Sequence, residues 1–151
     1  LHINTGANST LDFSNVQVSG SVYNDDTSHT LTINSKDGAS LTAGDAGTGN
    51  GQTNIRHPVT LKVTVLDDDT GSGIDLAHVI IQKKSDRSTV TSGATNSSGI
   101  YELTTYNYSS DLEVVGWARQ SDLSGTDYDQ KEFSGTITAS GLEVAVMLSP
   151  I

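Results

Sequence analysis

From Pro58 onward the apolar positions fall on every second residue. Val59, Leu61, Val63 and Val65 alternate with Thr60, Lys62 and Thr64, the period of a strand with one buried face. An acidic turn, Asp67 to Gly71, follows, and then a second β-branched run through Ile74 and Ala77 to Ile81. A turn of Thr, Asn, Ser and Gly leads into Ile100 and Tyr101, as expected between paired strands. Carried to the end, the pattern predicts strands at Val59 to Leu66, Ala77 to Lys83, Ser88 to Gly93, Ile100 to Thr105, Leu112 to Arg119, Glu132 to Ala139 and Leu142 to Leu148. One long loop, Asp122 to Lys131, interrupts them. No window carries the i, i+3, i+4 apolar spacing of a helix.

The first third has a different rhythm. Its plausible strands are Ser9 to Phe13, Val16 to Val18, Ser21 to Tyr23 and Leu31 to Ile33, each edged by Asn, Gly or Ser. Such pieces suit an irregular β-meander or a few rungs of a β-helix-like stalk. No repeat of fixed period is legible, which favours the meander. Gly44 to Asn54 is glycine-rich without apolar periodicity and reads as a linker. A boundary near Arg56, His57 and Pro58 divides a polar β-rich segment, residues 1–55, from a sandwich, residues 56–151. The expected fold is therefore all-β, an Ig-like antiparallel β-sandwich preceded by a short, irregular β-rich N-terminal module.

Val63, Val65, Asp67, Thr70, Gly71, Ile74, Ala77, Val79, Thr95, Gly99 and Tyr101 follow the pattern V-x-V-x-D-x-x-T-G-x-P-I-x-G-A-x-V and T-D-x-x-G-x-Y. On these residues the last ninety or so positions resemble the carboxypeptidase-regulatory-like and transthyretin-like β-sandwich domains. Gly73 stands in place of the pattern's Pro, Leu76 in place of its Gly and Asn96 in place of its Asp. The resemblance implies a fold and little about chemistry.

Composition narrows the choice of function. Eighteen acidic residues against eight basic ones give a net charge of −10, which argues against a nucleic-acid partner because phosphate binding is driven by Lys and Arg. There is no cysteine, so neither a disulfide framework nor a thiolate metal site exists. No apolar run is long enough to span a bilayer, and the start Leu1-His2-Ile3-Asn4 has neither a basic nor an apolar signal segment; a fragment, a processed product or the ordered part of a longer polypeptide is expected. Hydrophobic residues are 34% and aromatics 5%, a thin core whose surface a partner would complete.

Candidate chemistry is sparse. Asp67, Asp68 and Asp69 are the calcium candidates, since calcium takes about six to eight oxygen ligands from flexible loops; the competing reading is a turn in which Asp caps backbone amides. Asp25-Asp26 and the Asp127/Asp129 pair suggest paired glycosidase carboxylates, but nothing supplies a cleft. His2, His29, His57 and His78 are scattered, and no nucleophile elbow or phosphate loop occurs. An enzyme is not expected. Trp117 shares a strand face with Val115 and Arg119, opposite Leu112, Val114 and Gly116. A core position is preferred for it because a large ring is usually mostly buried; facing outward near Tyr106 or Tyr108, it would serve a ligand or a neighbouring subunit. Asn8, Asn96 and Asn107 begin N-glycan acceptor triplets, which arise by chance in so Asn-rich a chain.

A polar segment followed by an Ig-like sandwich is similar in style to the virion proteins of tailed phages. That resemblance implies a non-enzymatic structural protein, a capsid decoration or fibre component of the virion. It would bind neighbouring capsid or fibre subunits through the N-terminal segment, as a homo-oligomer with a trimer favoured, and project the sandwich outward. The alternative is a secreted or cell-surface binding module of a bacterial adhesin or enzyme, holding a host-surface glycan or calcium through its loops. No other cofactor is expected.

Overall fold

The structure is a computed structural model and describes residues 1–47, 49–120 and 126–151. Thirteen strands and no helix occur among the described residues, so the chain is all-β. It separates into two compact units, Leu1–Pro58 and Val59–Ile151.

In the first unit, β1 (His2–Ile3), β3 (Gln17–Asn24) and β5 (Ser40–Ala43) form one parallel sheet. β2 (Ser9–Ser14), β4 (Leu31–Lys36) and β6 (Thr53–Arg56) form a second. Successive strands alternate between the sheets, so the chain winds in three stacked coils, the rungs of a β-solenoid rather than a meander. Ser9 lies beneath Leu31 and Leu31 beneath Thr53, a step of 22 residues; Leu11, Ile33 and Ile55 stack in the same register. Asn15 and Asp37 adopt left-handed φ of 56° and 51° at equivalent corners, a conformation these side chains tolerate best.

Burial in this unit is graded. Val22, Leu31 and Ile33 are fully enclosed, while Ile3, Leu11, Phe13, Val18, Leu41 and Ile55 pack around them half-buried. Among the described residues, the middle coil is the one with a coil on each side. Asn24 is also buried: its carboxamide donates to the carbonyls of His29 and Gln52 and accepts from the Asp26 amide, which ties two corners together.

Three strands here differ from expectation. β1 and β5 were not anticipated, and β6 begins inside the expected linker, whose Gly51 also bonds back to Asn24. These segments are ordered by stacking on the neighbouring coil, a non-local cause that local propensity does not carry. Of the expected Val16 to Val18 strand, Gln17 and Val18 join Ser21 to Tyr23 in β3, which passes through Gly20 at φ 88°, while Val16 lies outside it.

The second unit is a sandwich of all seven predicted strands. β12 (Tyr128–Ile137), β11 (Leu112–Gln120), β8 (His78–Lys83) and β9 (Thr89–Ala94) form an antiparallel four-stranded sheet. β10 (Ile100–Asn107), β7 (Pro58–Asp67) and β13 (Leu142–Leu148) form the other, in which β7 and β13 run parallel. Leu61, Val63 and Val65 of β7 meet Val79 and Ile81 of β8, Val114 and Ala118 of β11, Ile137 of β12, and Leu142, Val146 and Leu148 of β13 in one core. Of the expected loop, Asp122 to Gly125 lie outside the described residues and Tyr128 to Lys131 already belong to β12.

Candidate functional site

Asp67 ends β7 on the parity of Leu61, Val63 and Val65, so its carboxylate faces inward and is almost buried. One oxygen accepts from the amides of Asp69 and Thr70, each at 2.9 Å, and the other from the Tyr128 hydroxyl at 2.7 Å. The phenol, together with those amides, holds the Asp67 carboxyl below the usual carboxylate range and pushes Tyr128 up. Asp68 accepts from the Ser149 hydroxyl at 2.7 Å, while Asp129 accepts from the Ser149 amide and pairs with Lys131. The acidic turn thus pins β7, β12 and the tail after β13 at one end of the sandwich.

Among the described residues no three His, Cys, Asp or Glu side chains gather into a metal-binding group. The Asp67 carboxylate is bonded to turn amides and the Tyr128 hydroxyl and that of Asp68 to the Ser149 hydroxyl, while Asp69 contributes its backbone amide. Sequence reasoning missed Tyr128 and Ser149, whose approach is tertiary. The Asp25-Asp26 pair is likewise engaged: Asp25 with His2 at 2.6 Å, Asp26 with His29 at 2.7 Å and with the Ser28 amide. The side-chain oxygen of Asn8 accepts from the backbone amide of Thr30 and that of Asn96 from the amides of Ser98 and Ile100.

Trp117 overturns its expected core position. Val114, Gly116 and Ala118 are the buried face of β11, whereas Val115, Trp117 and Arg119 lie on the outer face of the four-stranded sheet. The inner face has no room for more: a Cβ on Gly116 would stand 2.3 Å from the Phe133 ring and 2.4 Å from the Ile80 carbonyl. Outside, Trp117 is paired across the ladder with Ile80 on one side and Glu132 on the other. The Arg119 guanidinium lies 5.2 Å from its ring centre and the His78 ring 5.4 Å away at a tilt of 49°. Cation and indole attract through the ring's quadrupole. Tyr106 and Tyr108, considered as companions for Trp117, pack against the core.

The third feature is the open edge of the solenoid. β2 pairs with β4 on one side and, among the described residues, with no strand on the other. Leu11 and Phe13 remain half-exposed there, although Ile33 and Ser35, the residues stacked on them, are buried. Leu1 and Val16 add exposed apolar surface at 51% and 37%. Neither a family model nor a curated protein matches the chain.

Proposed function

We propose that the chain is a non-enzymatic structural and attachment protein. The virion component expected from the sequence, a capsid decoration or fibre protein, is the form of this reading that we favour. The observation that supports it is the build of the chain, stacked parallel coils in the first unit and a sandwich in the second, the order in which a stalk carries a projecting module. In this reading the sandwich contributes surface: Asp67 and Asp68 are engaged at its end, and the face around Trp117 is open for contact. The test is the native mass by light scattering coupled to size exclusion. A species larger than the 15.8 kDa monomer supports assembly, and a fully folded monomer at every concentration opposes it.

Trp117 favours a second reading, a secreted or cell-surface binding module. An outward indole beside Arg119 and His78 offers both an apolar ring and hydrogen-bond donors, the combination that a sugar surface engages. Because Trp117 is the sole tryptophan, its fluorescence reports on this face directly. Saturable quenching in a glycan titration, with the protein monomeric, selects this reading over the first.

A further inference from the structure

We infer that the outer face of the four-stranded sheet around Trp117 binds a sugar that carries a carboxylate, a uronic or sialic acid; this rests on the binding-module reading of Trp117 above. Register assembles the face. Arg119 lies directly across the ladder from His78, and in the next row Trp117 lies between Ile80 and Glu132. Alternation with the buried Val79 on β8 and Ala118 on β11 turns these side chains away from the core. Beyond His78 and Ile80, the edge strand β9 presents Ala94 and Ser92, both small and exposed, so no bulky side chain closes that flank.

Charge and shape select the ligand. Lys36, Lys62, Lys84 and Lys131 are each paired with a carboxylate, yet among the described residues no carboxylate stands within ion-pair distance of Arg119. In a chain of net charge −10 that leaves a local cationic spot. The guanidinium lies 5.2 Å from the Trp117 ring centre, an attraction that restrains a planar group whose forked N–H donors match a carboxylate two bonds at a time. The His78 ring, 5.4 Å from that of Trp117, brings ring nitrogens to the same end. Ile80 and the indole suit the C–H surface of a pyranose, and Glu132, across the ladder from Trp117, is an acceptor for its hydroxyls. Glu132 also limits the ligand's charge. A sulfated or phosphorylated polyanion would meet both this carboxylate and the net charge of −10, whereas one carboxylate on a ring of hydroxyls finds a cation at one end and an acceptor at the other.

Glucuronate and glucose differ only in whether the terminal carbon is a carboxylate or an alcohol, and Trp117 is the sole tryptophan, so its fluorescence in the full chain reads the site. Titration with sodium glucuronate or N-acetylneuraminate should change it saturably. Glucose should bind at least about tenfold more weakly, having lost the charge-assisted bonds, and sodium acetate at the same ionic strength should not saturate. Arg119→Lys keeps the charge and removes the fork. It should weaken the binding of the acidic sugars by a similar factor while melting temperature and circular dichroism stay unchanged, because Arg119 is exposed. Glucose binding as tightly as glucuronate and N-acetylneuraminate, or acidic-sugar binding that Arg119→Lys leaves intact, would overturn the carboxylate assignment and leave the binding-module reading standing. Acetate saturating as tightly as the acidic sugars would overturn the sugar. Silence toward glucuronate and N-acetylneuraminate in both fluorescence and calorimetry would overturn the inference, and silence toward a panel of neutral glycans as well would overturn the binding-module reading with it.

Discussion

At single residues the fold carries both strain and staples. Leu76 has φ 56° and is 64% exposed, a left-handed backbone that costs a branched L-residue about 1–2 kcal/mol and burial that returns little. Leu76→Gly should therefore stabilise the protein by about 1 kcal/mol in chemical denaturation, part of the gain being offset by glycine's freer unfolded chain. The resembled pattern has Gly at this position. Gly99, at φ 75°, is the reverse case: a Cβ there would lie 2.3 Å from the Val65 carbonyl and 2.7 Å from Gly73 Cα. Gly73 itself would put a Cβ 2.3 Å from the Ser98 carbonyl, so the two turns touch backbone to backbone. Asp67 sets a pH dependence. Its carboxyl is depressed by Tyr128 and the turn amides, so its contribution is present above the unfolded value of about 3.9 and is lost as pH falls through the lower folded value. Tyr128→Phe removes the leading cause of the depression, and the midpoint of acid unfolding should move to higher pH. Trp117→Ala should cost well under the ~3–5 kcal/mol of a buried aromatic deletion, because the ring lies outside the core.

At the level of elements, the sandwich was legible and the solenoid was not. Seven alternating runs, each with its own apolar face, predict seven strands because in a sheet with one covered face the two-residue period is written into each strand separately. The stacking of coils leaves a fainter record. Its step is 21 residues from His2 to Tyr23, 22 from Ser9 to Leu31 and 23 from Gln17 to Ser40, since β3 carries an irregularity between Gln17 and Ser21. Leu11/Ile33/Ile55, Thr10/Thr32 and the Asn15/Asp37 corners repeat in kind, and three coils give too few copies for a period to stand out. Trp117 was misplaced for a related reason: parity separates two faces of β11 correctly but does not say which is inward, and the small pair Gly116 and Ala118 proved to be the packed one. The graded burial has a measurable consequence. Ile33→Ala, in the enclosed middle coil, should lower the protection of β4 amides by about 2–4 kcal/mol in hydrogen exchange, whereas Leu11→Ala, at the half-exposed edge, should cost less than half as much.

For the molecule as a whole, the excess of ten negative charges decides how it responds to salt. Four Lys-carboxylate pairs, Lys36–Asp12, Lys62–Glu143, Lys84–Glu113 and Lys131–Asp129, all join side chains at least one-third exposed to solvent. Each such pair contributes only about 0–1 kcal/mol and weakens as salt screens it. Against this loss stands repulsion among the remaining carboxylates, which acts over roughly 10 Å at 0.1 M ionic strength and over about 3 Å at 1 M. Eighteen acidic residues share only eight Lys and Arg partners, so repulsion relieved outweighs attraction lost. The melting temperature should rise as sodium chloride is increased from about 0.01 to 1 M. Self-association should strengthen over the same range, because like-charged copies approach against the same repulsion. A melting temperature that falls with salt would mean that the four pairs hold the fold more firmly than their exposure implies. A mass that is insensitive to salt while the melting temperature rises would mean that repulsion between copies does not limit their association, contrary to this expectation.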